Sequence, residues 1–323
     1  MTIRRIGRKA SVLFFTCLWL LFSGCGSQAS SNVVPAQKQE TVSAQEPAQK
    51  QETAAPKQET AASKQATAAP EAKSSAAAPY VTAAEDFGNL ALDDPALPVY
   101  DRYTLRERRA KGLPVVLPAI APYGKQKTAY LTFDDGPDEK NTDAILDILK
   151  QEGVKATFYV VGRNVDAYPE TARRIFAEGH ALGNHSYDHD YDRLYASVDN
   201  YLEEMEEADE AVYRLIGMRP LITRAPGGRM SHFDEAYDAV TADNGYVEHD
   251  WNVSSADSDP SGPVAQDFID NIAGQAVMDS AIILMHSSAG HEETVKALPE
   301  IIRVLREKGY TFGVVTPMTP QPW

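Results

Sequence analysis

The sequence predicts an α/β fold: a distorted seven-stranded (β/α) barrel, with strands and helices alternating around a closed or nearly closed parallel sheet. Two observations carry this. From Thr128 onward, β-rich runs recur at 129–133, 156–161, 180–184, 221–224, 246–251, 281–286 and 310–315, and the segments between them place apolar residues at helical spacing. Gly153, Gly179, Gly217, Gly245 and Gly309 punctuate those segments, as expected where a chain leaves a helix through a left-handed turn. Strict alternation favours parallel strands joined by crossovers, and such sheets carry chemistry beyond the C-terminal ends of their strands.

The first helix shows how its element is read. Asn141 is its expected N-cap, Ala144, Ile145, Ile148 and Leu149 form its inward stripe, and Gly153 closes it. Ahead of the barrel, residues 83–127 regain aromatics and leucines but show no sustained period, with Pro95, Pro98, Pro114, Pro118 and Pro122 spread through them. They are expected to form an extended lead-in that packs on the domain, which itself spans 128–318.

Residues 25–82 differ in kind. From Ser27 to about Pro79 the chain is mostly Ala, Gln, Lys, Glu, Thr, Ser and Pro, with KQET at Lys38, Lys50 and Lys57 and the variant KQAT at Lys64. No aromatic residue lies between Phe22 and Tyr80. Such composition cannot bury enough apolar surface to offset its ordering entropy, so a disordered tether is expected. Residues 1–24 read as an export signal: Arg4, Arg5, Arg8 and Lys9 precede an apolar run from Val12 to Phe22, which ends in Ser23, Gly24 and Cys25. The run is short for a membrane span, which needs ~20 apolar residues. Its ending resembles a bacterial lipoprotein signal, with Cys25 as the lipidated first mature residue. The implied location is the outer face of the cytoplasmic membrane, or the periplasmic face of an outer membrane if the cell has one.

Cleavage before Cys25 would remove Cys17 and leave a single thiol, which excludes a disulfide framework. The signal carries four of the 31 basic residues and no acid, which leaves 27 against 46 acidic residues. So acidic a surface disfavours nucleic acid as a partner. No obligate protein partner is implied.

Four strand ends carry chemistry-bearing residues. The first ends in Asp134 and Asp135 before Gly136 and Pro137, two adjacent carboxylates that repel unless one meets a cation or a proton. After the third come His185 and His189, whose four-residue spacing puts both imidazoles on one face if the loop makes a helical turn. Together with a carboxylate they would form a two-His, one-carboxylate set with open positions, a catalytic rather than a structural metal site. The fourth ends in Arg224 before Pro226, Gly227 and Gly228, and the sixth in His286. Each alone has a bland reading, as turn, solvated loop or surface ion pair; on one sheet the four converge on one mouth.

TFDDGP, HSYDH, RAPGG and ILMH, with EGHALGNHS before the histidine pair and GYTF near the end, resemble the motifs of the NodB-homology polysaccharide deacetylases, carbohydrate esterase family four, across 128–315. The resemblance implies a distorted seven-stranded barrel and a divalent metal, zinc foremost, with cobalt, nickel, manganese or iron(II) as alternatives, on Asp135, His185 and His189. It further implies Asp134 as general base, Arg224 as its ionic partner, a backbone N–H near Gly227 for the oxyanion, His286 as the acid for the departing amine, and Asp257 as the partner that keeps His286 cationic. The substrate implied is an extracellular polysaccharide with N-acetylglucosamine units, peptidoglycan favoured. The departures are Gly227, where the family often has an aromatic, and Ser254 and Ser258 around Asp257, which bear on rate and specificity. Alternatives are an O-acetyl esterase of the xylan type and a glycan-binding module of the same fold with impaired turnover. A non-haem iron oxygenase would use the same ligand types, but its motif order and usual β-sandwich setting do not fit.

Overall fold

The computed structural model describes residues 78–118 and 126–322, which belong to one compact unit. The predicted signal, Cys25 and most of the tether lie outside the described residues. No helix among the described residues is long and apolar enough to cross a membrane.

In chain order the strands are β1 (Val81–Thr82), β2 (Val99–Asp101), β3 (Thr128–Asp134), β4 (Thr157–Val160), β5 (Ala181–Asn184), β6 (Arg219–Pro220), β7 (Ile222–Thr223), β8 (Val247–Glu248), β9 (Val253–Ser254), β10 (Ser280–His286) and β11 (Thr311–Gly313). The helices are α1 (Leu105–Lys111), α2 (Asn141–Glu152), α3 (Gly162–Ala167), α4 (Pro169–Ala177), α5 (Tyr191–Leu194), α6 (Val198–Ile216), α7 (Arg229–His232), α8 (Glu235–Asp243), α9 (Ala265–Gln275) and α10 (Glu292–Glu307). The main sheet runs β8-β7-β5-β4-β3-β10-β9, all parallel, and β11 pairs with the first half of β3. It curls into a half-barrel whose edge strands, β8 and β9, do not pair with each other. All seven expected strands are present. The run expected at 246–251 yields only the two-residue β8, because the chain turns from there to reach Ile282 through Asn252 and form β9.

Strand alternation sorts the core into two layers. In β3, Ala129, Leu131 and Phe133 point out against α2, α9 and α10, in a cluster with Ile145, Leu149, Phe268, Leu298 and Ile302. The intervening Tyr130 points into the barrel with Tyr159, Ile222, Ile282 and Val315. The same alternation brings Thr132 and Asp134 inward in β3 and, two residues past Ile222, brings Arg224 inward. Each fully buried large aliphatic side chain contributes about 1.5–3 kcal/mol.

Two local readings change. Asn141 is the first residue of α2 rather than its cap; Asp138 Oδ1 accepts from the backbone N–H groups of Lys140, Asn141 and Thr142 instead. The lead-in is not simply extended: Thr104 and Glu107 form a capping box that starts α1, and β1, β2 and β6 make a small separate sheet. Arg108 is fully buried there, with Nε 2.5 Å from Asp101 Oδ2 and its guanidinium over the Phe87 ring, so the lead-in has a core of its own, joined to Leu221 between β6 and β7.

Candidate active site and metal centre

β3 delivers Asp134 as its last residue and Asp135 at the turn that follows. Asp135 sits in the left-handed region at φ 68°, which breaks the strand alternation, and both carboxylates reach His185 Nε2, Asp134 Oδ2 at 3.8 Å and Asp135 Oδ1 at 3.3 Å. Gly136 is required next: a Cβ there would lie 2.4 Å from Ser287 Oγ and 3.1 Å from Thr142 Oγ1. The histidine pair is presented by a tight loop, not by the helical turn that the spacing suggested. Ser186 and His189 are both left-handed, at φ 63° and 60°, and the two rings come to 5.1 Å between centroids. Glu204 of α6 holds this loop by accepting from the N–H groups of Tyr187 and Asp188, and Asn184 Oδ1 accepts from Ser186 N.

Asp135 Oδ1 faces His185 Nε2 at 3.3 Å and His189 Nε2 at 3.2 Å, and the three form a candidate metal-holding group. Ligand atoms bound at ~2.0–2.1 Å to a common tetrahedral ion are roughly 3.3 Å apart, so the spacing fits. The chemistry fits too. His185 Nδ1 lies 2.7 Å from the Arg224 carbonyl oxygen, which can only accept, so in the neutral ring the proton is on Nδ1 and Nε2 aims a lone pair at the carboxylate. Asp135 Oδ1 is buried and has no hydrogen-bond partner. Lone pairs facing one another in a buried place call for a cation between them. Proton affinities express the same demand: burial opposes charge on both residues, yet the facing imidazoles hold the Asp135 carboxyl far below its usual range, and Asp134 and Asp135 raise His185.

Asp134 is 3% exposed and has Arg224 Nη1 2.8 Å from Oδ1. Arg224 is itself fully buried: Nη1 also donates to Thr132 Oγ1, Nε to the His249 carbonyl and Nη2 to the Asp250 carbonyl, while the guanidinium lies 4.2 Å from the Tyr159 ring centroid. Burial opposes its charge, but Asp134 and its other partners raise its proton affinity, so it stays cationic. The turn after it is pinned by Glu248, which accepts from Thr223 Oγ1 and Ala225 N and whose carboxyl burial pushes up to about 7. Gly227, at φ 76°, leaves its N–H without an acceptor among the described residues.

On the neighbouring strand β10, His286 pairs in register with Asp134. Asp257 Oδ1 lies 2.8 Å from His286 Nδ1, and Asp257 Oδ2 accepts from His286 N at 2.8 Å and Thr294 Oγ1 at 2.7 Å. Burial pulls the His286 imidazole down, but Asp257 outweighs it, and with smaller help from Asp134 and Asp135 the ring rises to about 9. The residues expected to act together, Asp134, Asp135, His185, His189, Arg224, Gly227, His286 and Asp257, thus stand around one mouth. Sequence reasoning did not single out Glu248, Glu204 or Thr294, which position them; an acid closing a two-residue strand, and an acid and a threonine within helices, carry no distinguishing signal. Ser258 is solvent-exposed.

A two-His, one-carboxylate centre beside an Arg-bound carboxylate and an Asp-bound imidazole, at the C-terminal mouth of a parallel barrel, defines a divalent-metal hydrolase. Residues 122–249 match the family described as polysaccharide deacetylase. The chain is 38% identical over 192 residues to a peptidoglycan-N-acetylglucosamine deacetylase of Bacillus cereus, covering 58% of this chain and 69% of the relative. It is 34% identical over 190 residues to a peptidoglycan-N-acetylmuramic acid deacetylase of Bacillus subtilis, covering 58% and 70%. A crystal structure of a polysaccharide deacetylase from Bacillus cereus superposes with a TM-score of 0.55 at 37% identity, covering 59% of this chain and 92% of that one. The chain belongs to the polysaccharide deacetylase family, whose hydrolases depend on a divalent metal.

Proposed function

We propose that the protein removes the N-acetyl group from N-acetylglucosamine units of peptidoglycan, with zinc as its resident ion and Cys25 as its lipid anchor. The observation that carries the reaction is the juxtaposition, on neighbouring strand ends, of a buried Arg-bound carboxylate and an Asp-bound imidazolium, with the Asp135, His185 and His189 donor set beside them. Two imidazoles and a carboxylate with open positions suit zinc. Bound there, the ion supplies Lewis acidity toward the acetyl carbonyl and lowers the pKa of water.

The chain's own residues do the rest. Asp134, held in place by Arg224, takes the proton of the attacking water. The free N–H of Gly227 donates to the oxygen that gains charge, from a turn fixed by Glu248 and so without reorganisation. His286, kept protonated by Asp257 at neutral pH, gives its proton to the sugar nitrogen as the C–N bond breaks, because an amine anion is too basic to leave unaided. Ester substrates need that proton less, which is why an O-acetyl activity can accompany the amide one.

The peptidoglycan assignment draws on the substrates in the names of both curated relatives, and the favoured sugar on the first of them. The anchor draws on Arg4, Arg5, Arg8 and Lys9, the apolar run and the cysteine that ends it. Mass spectrometry of peptidoglycan fragments after incubation with zinc-loaded protein tests the reaction: loss of one acetyl mass from glucosamine-containing fragments is expected. Fragments left intact, or loss of acetate from O-acetylated sugars alone, would reject it.

A further inference from the structure

One aromatic ring at the mouth has no part in the chemistry above. Tyr191 opens α5, two residues after His189, and lies edge-on to the His189 imidazole at 5.3 Å between centroids. It is 42% exposed, one of five exposed large apolar side chains among the described residues. A second of the five, Met230, is in α7, just past the turn that carries Gly227. An exposed ring beside buried catalytic groups is in the position that a ligand covers.

The ring is braced. His232 lies 5.7 Å from Tyr191 and stacks face to face on Tyr195, at 3.9 Å and 6°, while Tyr195 Oη donates to the Pro226 carbonyl at 2.6 Å. Asp190 caps α5 and Leu194 is buried beneath it. Tyr191 also fills the space in front of Gly227: a Cβ there would lie 2.9 Å from Tyr191 Cε1 and 3.0 Å from both Tyr191 Oη and His232 Nε2. The apolar wall of this part of the mouth therefore comes from the loop of the metal-ligating histidines and not from the turn that bears the N–H donor. Sugar rings present C–H faces, and a rigid aromatic with a polar tip suits them at small entropic cost.

We propose that Tyr191 is a specificity-determining residue of the deacetylation: its ring is the wall on which the sugar carrying the scissile acetamide rests. The proposal rests on the deacetylase reading of the same site. Because the wall touches the sugar and not the reacting atoms, its removal should raise KM more than it lowers kcat.

The test compares wild type, Tyr191→Ala and Tyr191→Phe in the zinc-loaded protein, on an N-acetylglucosamine oligomer and on a small aryl acetate. For Tyr191→Ala the ratio of oligomer to aryl acetate kcat/KM should fall on the order of tenfold, chiefly through KM, with zinc content by elemental analysis retained. Tyr191→Phe should keep most of the wild-type ratio. An equal fall on both substrates, a lost ion or an unchanged ratio would each overturn the proposal; the first two would make Tyr191 a prop for His189. Calorimetric binding of the oligomer to the same proteins reads the wall without turnover. A wild type that bound the oligomer but left its acetyl groups would sink the deacetylase reading, and weaker binding by Tyr191→Ala would still support the wall.

Discussion

Replacing Asp257 by Asn keeps the size of the side chain and removes its charge. In the structure this carboxylate accepts three hydrogen bonds, two of them from His286. An amide can accept at one end only, so one of those N–H groups would face the Asn Nδ2 donor. The imidazole, raised to about 9 in the intact pair, would then feel burial without its main compensation and fall to its ordinary value or below. The acid must be protonated to act, so a raised pKa preserves activity below it, and activity is lost as pH climbs through it. At pH 7.5 a group with a pKa near 9 is about 97% protonated and one near 6 about 3%, which gives a drop of roughly 30-fold in kcat on the N-acetyl oligomer. The alkaline limb of the rate profile should move acidward by about 2–3 pH units. Aryl acetate turnover should change far less, since a phenolate leaves without a proton. Stopped assays across pH 5–10 with both substrates provide the measurement. An alkaline limb that stays in place, or an equal loss on both substrates, would refute the idea that Asp257 sets the charge of His286.

The adjacent aspartates separate by their readouts: Asp135→Asn should lose metal by elemental analysis, whereas Asp134→Asn should keep it and lose on the order of 10²–10⁴ in turnover. The reverse pattern would exchange their roles. Arg224→Met leaves the Asp134 carboxylate buried without its partner, so thermal or urea unfolding should show a loss of about 3–5 kcal/mol together with inactivity; a variant as stable as wild type would contradict the fully buried ion pair. Cys25→Ser should move the protein from the membrane to the soluble fraction, with circular dichroism unchanged; continued pelleting with membranes would point to an uncleaved anchor.

The sequence announced the barrel because its strands are long enough to show composition and its helices long enough to show a period, as at 128–134 and 141–152. Two-residue strands such as β1, β6 and β9 carry no period at all, so the small sheet and the split after Glu248 were invisible. The site was legible where chemistry is concentrated in side chains at strand ends, as with Asp134, Arg224 and His286. Its bracing was not, since Glu204, Glu248 and Thr294 act by hydrogen bonds to backbone or side-chain groups distant in sequence. The histidine spacing suggested a helical turn, and the loop reached the same convergence through two left-handed residues, a solution that Ser and His side chains do not advertise.

The place where the described chain enters the barrel has a consequence for how the enzyme faces its substrate. Pro79 lies against Gly179, just ahead of β5, and the Tyr80 ring packs on Tyr100 and Phe176. Tyr100 Oη in turn donates to the His180 carbonyl and accepts from Leu182 N at the first residues of that strand. The polypeptide thus joins the domain at the strands' N-terminal ends, the pole opposite the one where Asp134, His185, Arg224 and His286 gather. If Cys25 is the anchor proposed above, the polypeptide that holds the domain would meet it on the side away from the catalytic residues and would not cross their mouth, so tether and glycan would not compete for the same face.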